Sequence, residues 1–161
     1  MIIETLGYYQ NVKFIFYSEM TNIKIQKIKK KDYKTMLDIY IRAYLSVWEK
    51  WDKEQIKDFF AFLLKRKIKV KFVLEDKIIW WFIAEIKPWY EGNMLFDPEL
   101  FIDTDYQKKW YGTILLKKVL ELAEKKHKAK TIVGFTFKNT FHINWYKKLW
   151  INPSTDRQML Y

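Results

Sequence analysis

Cysteine is absent from this 161-residue chain, which excludes disulfide frameworks, thiolate zinc sites and cysteine nucleophiles together. Histidine is nearly absent too. His127 and His142 are the two present, so a histidine-rich metal centre is not expected and no metal is assigned. Long apolar runs are missing: the longest, Ile78–Ala84 and Phe59–Leu64, fall far short of the ~20 residues needed to cross a bilayer. No basic stretch followed by an apolar run opens the sequence, so the expected setting is cytoplasmic, without a secretory signal or a membrane partner. Acidic residues are outnumbered, 19 Asp+Glu against 30 Lys+Arg, for a net charge of +11.

What is present is apolar and aromatic. Half of the residues are hydrophobic and 19% are aromatic, too apolar for a disordered chain. The length fits one domain, which can bury roughly 70% of the surface its unfolded form exposes. The basic balance raises nucleic acid as a partner, since lysines neutralise phosphates and rings stack on bases. The spacing argues against it. Glu121 stands four residues before Lys125, and Glu124 four before Lys128, the arrangement of a solvated helix face. The one dense basic run is Lys27–Lys31. A small anionic ligand needs only a few of these charges.

Residues 1–19 read as an N-terminal appendage, with a strand at Asn11–Ser18, and 20–161 as the domain proper. Ile23–Ile28 alternates as a first strand. Asp32 is positioned to cap a helix whose buried stripe is Met36, Ile39, Tyr40, Ala43 and Tyr44. Asp52 and Gln55 form a capping-box pattern before Ile56, Phe59, Phe60 and Leu63. Val70–Leu74 and Ile78–Ile86 form a hairpin across Glu75-Asp76-Lys77. Pro88–Asn93 reads as a loop and Met94–Asp103 as a fourth strand, with a bulge or interrupted edge expected at Pro98. A polar turn, Asp105–Gly112, leads into a helix with the stripe Leu115, Leu116, Val119, Leu122 and Ala123. Thr131–Phe137 is a fifth strand, Asn139–Leu149 a helix and Arg157–Tyr161 a last strand. The fold class is α/β, a mixed sheet with helices on both faces.

The segment that points to chemistry runs from Glu99 to Gly112. A strand that delivers a basic, Gly-ended loop onto a helix start is a phosphate-binding arrangement. The first-turn N–H groups point outward there, and the helix dipole adds partial positive charge. Lys108 and Lys109 place full charges beside them. A plain strand–turn–helix with a solvated loop would show the same local pattern.

Two segments resemble the GCN5-related N-acetyltransferase (GNAT) family, the likeness running from about Ile23 to Tyr161. The family's loop, Arg/Gln-x-x-Gly-x-Gly/Ala, reads here Gln107-Lys-Lys-Trp110-Tyr-Gly112. A second family segment, Asn-x-x-Ala-x-x-x-Tyr-x-Lys-Leu-Gly-Phe, reads Asn139-Thr-Phe-His142-Ile-Asn-Trp-Tyr146-Lys-Lys-Leu149-Trp-Ile151. The resemblance implies six to seven strands, mostly antiparallel with a central parallel pair, and an N-acetyltransferase acting on a small-molecule or peptide amine. Acetyl-CoA is the implied cosubstrate. Leu100, Phe101, Ile102 and Asp103 would contact it through the main chain. Gln107, Lys108, Lys109, Trp110, Tyr111, Gly112 and Thr113 would hold its pyrophosphate, with Asn139 tying the later helix to it. Glu99 becomes the candidate base, and Tyr146 the partner of the departing thiolate. Alternation puts Glu99, Phe101 and Asp103 on one strand face and Leu100 and Ile102 on the other.

This chain departs from the family at its glycines. Trp110 and Trp150 stand at two of them, and Trp80 or Trp81 at a third. The Trp110 indole either turns outward, leaving the loop N–H groups accessible, or lies in the anion site. In the second case Trp110→Gly should tighten acetyl-CoA binding, and loss of catalysis leaves a binding module as the alternative function. Trp48, Trp51, Trp89 and Tyr90 fall where the resemblance places the acceptor, or else cover the core. His142 is expected to pack rather than react, and His127 to sit favourably at a helix C-terminus.

Overall fold

The structure, a computed structural model, describes residues 22–45, 52–136, 141–149 and 151–154. Its five strands are β1 (Lys24–Lys27), β2 (Ile68–Leu74), β3 (Lys77–Trp89), β4 (Gly92–Ile102) and β5 (Ala129–Val133). They form one sheet in the order β1-β2-β3-β4-β5, antiparallel throughout except for the parallel β4–β5 pair. The helices are α1 (Tyr33–Leu45), α2 (Lys53–Leu63), α3 (Tyr111–His127) and α4 (Phe141–Lys148). The further strands expected at Asn11–Ser18 and Arg157–Tyr161 lie outside the described residues. The parallel pair therefore forms the margin of the described sheet rather than its centre.

β3 explains the long apolar run noted in the sequence. Trp80, Phe82 and Ala84 face a core made with Leu115, Leu116 and Val119 of α3, while Trp81 and Ile83 face Met36, Tyr40, Ile56 and Phe60 of α1 and α2. A strand covered by helices on both sides carries apolar residues at every position. The rings define two aromatic clusters, Trp80 with Phe72 at 4.6 Å and Trp81 with Phe101 at 4.7 Å.

Local signals account for most element ends. Asp52 accepts from Gln55 N at 2.8 Å and donates its own N–H to Gln55 Oε1 at 3.2 Å, closing the capping box. Glu75 and Asp76 both have positive φ, 47° and 61°, as the two-residue hairpin turn between Leu74 and Lys77 requires. Asp32, however, does not cap α1. It lies in a 3-10 turn at Lys30–Asp32, where its buried carboxylate accepts from Lys71 Nζ at 2.6 Å and Lys29 N at 2.7 Å. Burial raises its pKa, but these donors and the Lys71 and Lys31 charges outweigh it, so the carboxyl lies below its ordinary value. Pro88 also departs from the sequence reading, lying in β3 opposite Asn93, with the turn reduced to Tyr90 and Glu91. β3 there runs past its pairing with β2, which starts at Ile68↔Ala84, so Pro88 interrupts no ladder on that side.

Candidate active site

β4 is regular as far as Phe96 and then changes. Phe96 pairs with Glu85, but Glu99 pairs with Ile83, so β4 spends an extra residue opposite Ala84. This is the bulge expected at Pro98. Its first residue, Asp97, has φ 47°. The pairing of β4 with β5 ends at the same level, at Phe96↔Val133, and β4 runs on to Ile102 paired with β3. Pro98 has no N–H to offer a neighbour. Its ring lies against the chain leaving β5: a Cβ on Gly134 would stand 2.9 Å from Pro98 Cδ. The expected strand Thr131–Phe137 therefore stops at Val133, and beyond it β4 and the chain leaving β5 diverge in pairing, with no ladder between them among the described residues.

Past the bulge the faces alternate as expected. Phe101 packs with Trp81 on the α1–α2 side, while Leu100 and Ile102 pack with the α3 core. Glu99, in register with Ile83, belongs to the α1–α2 side. Tyr146 comes from α4 and packs against the α3 core, so it approaches from the other side. Burial, and secondarily the Glu99 charge, push the Tyr146 hydroxyl up from 10.0 to about 12.

At its far end β4 passes through Asp103 and a 3-10 turn, Thr104–Tyr106, into the loop before α3. Asp103 Oδ2 accepts from Arg42 of α1 at 2.8 Å, and Asp103 Oδ1 accepts from Asp105 N at 3.3 Å. Gln107 Nε2 donates to the Ile102 carbonyl at 3.1 Å, bracing the loop against the strand end. Lys109 Nζ lies 5.7 Å above the Tyr106 ring. Lys108 and Trp110 both have left-handed backbones, φ 60° and 63°, which explains glycine at the second of these positions in the family pattern. The Trp110 side chain turns outward and is 64% exposed. Of the two placements left open by the sequence, the indole takes the outward one.

The first bond into α3 runs from Ile114 N to the Trp110 carbonyl, 3.3 Å, and Trp110 supplies no side-chain cap. The N–H groups of Tyr111, Gly112 and Thr113 precede that ladder. Gly112 is closely packed: a Cβ would stand 2.8 Å from Ile102 Cδ1, the free end of that side chain, and 3.3 Å from Trp145 Cζ2. Trp145 Nε1 donates to Thr113 Oγ1 at 3.0 Å, and its ring lies 4.8 Å from that of Tyr146. Sequence reasoning missed Trp145, the residue that joins the helix start to Tyr146. Its indole reads as one more core ring until the two helices are seen together.

Other candidates fall away from this cleft. Trp89 closes β3 opposite Gly92 and Tyr90 lies in the turn beyond it, at the other end of β4, about 23 Å from Glu99 at ~3.3 Å per residue. Both are exposed, so the structure does not bring them to Glu99. His142 is exposed, its ring edge-on to Phe141 at 6.0 Å, so it does not pack in the core as expected. His127 closes α3 beside Lys125 and Lys126, as expected. Trp48, Trp51, Asn139 and Trp150 lie outside the described residues.

The profile of the Acetyltransferase (GNAT) family matches residues 33–149. Among solved structures, a possible acetyltransferase from Clostridium difficile 630 aligns with TM-score 0.72 at 16% identity, over 86% of this chain and 96% of its own. A predicted acetyltransferase of Clostridium acetobutylicum, solved with acetyl-CoA, aligns with TM-score 0.63 at 16% identity, over 86% and 96%. The ribosomal-protein-S18-alanine N-acetyltransferase of Escherichia coli aligns with TM-score 0.60 at 21% identity, over 79% and 76%. No curated protein matches the sequence. Fold and sequence profile agree, and the chain belongs to the GNAT acetyltransferase family.

Proposed function

We propose that the protein transfers the acetyl group of acetyl-CoA to an amine on a small molecule or peptide, in the divergence between β4 and β5. The observation that carries this reading is the continuity of that divergence with a basic helix start. One end holds Glu99 and Tyr146; the other presents the N–H groups of Tyr111–Thr113 beside Lys108 and Lys109. The residues present fit an acyl thioester bearing a pyrophosphate. The outward Trp110 leaves the helix start accessible, and β4 offers main chain past its last pair with β5. The name of the Clostridium acetobutylicum structure, solved with acetyl-CoA, supports the same cosubstrate.

Bound acetyl-CoA supplies an electrophilic thioester carbon. The chain's own groups do the rest. Glu99 accepts a proton from the acceptor ammonium, directly or through water. Asp103 N–H is taken by the Ile79 carbonyl of β3 at 2.9 Å, so by antiparallel alternation the main-chain N–H groups of Leu100 and Ile102 face away from β3 and align the thioester, while Lys108, Lys109 and the helix start hold the pyrophosphate. Tyr146 remains protonated at neutral pH. A thiolate, with a pKa of about 8.5, is too weak a base to take a proton from a phenol raised to about 12. Tyr146 therefore donates a hydrogen bond to the departing sulfur rather than surrendering its proton; as the amine attacks and the C–S bond breaks, the nitrogen sheds its second proton, which goes to the thiolate.

Thiol release from acetyl-CoA, followed against a panel of primary amines, aminoglycosides and N-terminal peptides, tests the function. Amine-dependent release that is lost in Glu99→Gln supports it. Saturable acetyl-CoA binding with no amine-dependent release would favour the non-catalytic binding module, and binding only to nucleic acid, weakening steeply with salt, would replace both readings.

A further inference from the structure

A buried guanidinium sits at the bulge, and the reaction as derived does not use it. Arg66 lies in the turn between α2 and β2, its side chain 9% exposed. It crosses to β4, where Nη1 donates to the Asp97 main-chain carbonyl and Nη2 to Asp97 Oδ2 at 2.5 Å. Its other face is covered by the Phe62 ring, 5.5 Å from Cζ. Asp97 is the residue with the left-handed backbone, and Pro98, against Gly134, follows it directly.

We propose that Arg66 is a positioning residue: its two-pronged hold on Asp97 sets the bulge, which carries Glu99 to its place and keeps β4 apart from β5. Aspartate is among the L-residues that accept the left-handed region, but it is held in one such conformation only where its surroundings over-determine it. Arg66 binds both the carbonyl and the carboxylate of that one residue, and only a planar fork does this; a lysine head is a single point of contact. Burying such a pair gives little net stability, since desolvation offsets the attraction. What the pair contributes is geometry. Pro98 is then aimed at Gly134, which has no side chain to resist it, and the parallel ladder ends there.

The function of the clamp rests on the reading of this divergence as the acetyl-CoA site; the clamp itself does not. Two measurements on the full-length protein keep them separate. In calorimetric titration, Arg66→Met should raise the acetyl-CoA dissociation constant roughly ten-fold or more, with stoichiometry retained in the folded fraction. Arg66→Lys should be intermediate. Asp97→Asn, which keeps an acceptor oxygen and tolerates a left-handed backbone, should lose only a few-fold. In hydrogen exchange without ligand, Arg66→Met should accelerate amides of 97–102 while leaving the β2–β3 hairpin unchanged.

An unchanged dissociation constant in Arg66→Met with reduced stoichiometry would make Arg66 purely structural and overturn the proposal. Uniform acceleration of exchange across the sheet would do the same. Should Arg66→Met fail to fold, Arg66→Lys and Asp97→Asn decide: wild-type affinity and exchange in both would overturn it. If the unmodified protein binds no acetyl-CoA yet Arg66→Lys loosens 97–102 selectively, the clamp stands and the cosubstrate reading falls.

Discussion

The two ends of the cleft both depend on left-handed backbone at non-glycine residues, but they hold it differently. At the bulge, Asp97 is gripped by a buried arginine and followed by a proline wedged against Gly134. In the loop, Lys108 and Trp110 adopt the same kind of backbone with exposed side chains. A buried, over-determined turn fixes geometry for bond-making, where small displacements are costly. An exposed basic turn suits capture of an anion, whose charge completes the contacts when it arrives. The difference predicts that losing the Glu99 or Tyr146 side chain at the bulge end alters turnover and losing charge at the loop end alters affinity, while releasing the bulge itself, by moving the β4 main chain, alters affinity as well.

The largest expected effect is at Tyr146. Tyr146→Phe should lower turnover on the order of a hundred-fold while acetyl-CoA affinity stays within a few-fold, because a contact made only as the sulfur departs is lost. Steady-state kinetics beside calorimetry separates the two. Equal losses in both would erase the distinction between the ends. With its pKa raised from 10.0 to about 12, Tyr146 contributes stability that is complete below about pH 10 and lost as pH rises toward 12. Alkaline unfolding of Tyr146→Phe should lack that component.

Charge reversal of Lys108 and Lys109 together should weaken acetyl-CoA binding about ten- to a hundred-fold. Turnover at saturation should change little. A fall in turnover with unchanged affinity would mean that the loop takes part in chemistry.

Gly112→Ala comes next, and it joins the two regions. The added methyl must shift Ile102 Cδ1 and press on Trp145, an overpacking offset by about 1 kcal/mol of alanine helix propensity, so stability in urea unfolding should fall by about 1 kcal/mol or less. The smallest effect on affinity is expected at Trp110. Its indole is outward, so Trp110→Gly should leave affinity nearly unchanged and raise stability by about 1 kcal/mol, through release of left-handed strain offset by the entropy of glycine. Substantially tighter acetyl-CoA binding in the glycine variant would show that the indole obstructs the site after all.

What the sequence disclosed followed local rules. The capping box at Asp52, the turn at Glu75-Asp76, the alternation through Glu99–Asp103 and the basic loop onto α3 all depend on neighbours a few residues apart. Pro98 announced its bulge because a missing N–H is a property of the residue itself. Pro88 misled for the same reason: nothing local says that β3 outruns β2 at that point. Arg66–Asp97, Trp145–Thr113 and Lys71–Asp32 join residues 31, 32 and 39 apart. Such pairs leave no period in the sequence. The close packing at Gly112 was likewise hidden, since a phosphate loop alone would explain a glycine there.

Hydrogen exchange of the unmodified protein with and without saturating acetyl-CoA tests the central claim most directly, because it reads both ends of the cleft at once. The account predicts slowed exchange in two separated segments, 97–103 along β4 and 108–114 through the helix start, with the β3–β4 turn at Tyr90–Glu91 unchanged. Protection confined to other segments, or none under conditions where acetyl-CoA is bound, would contradict it.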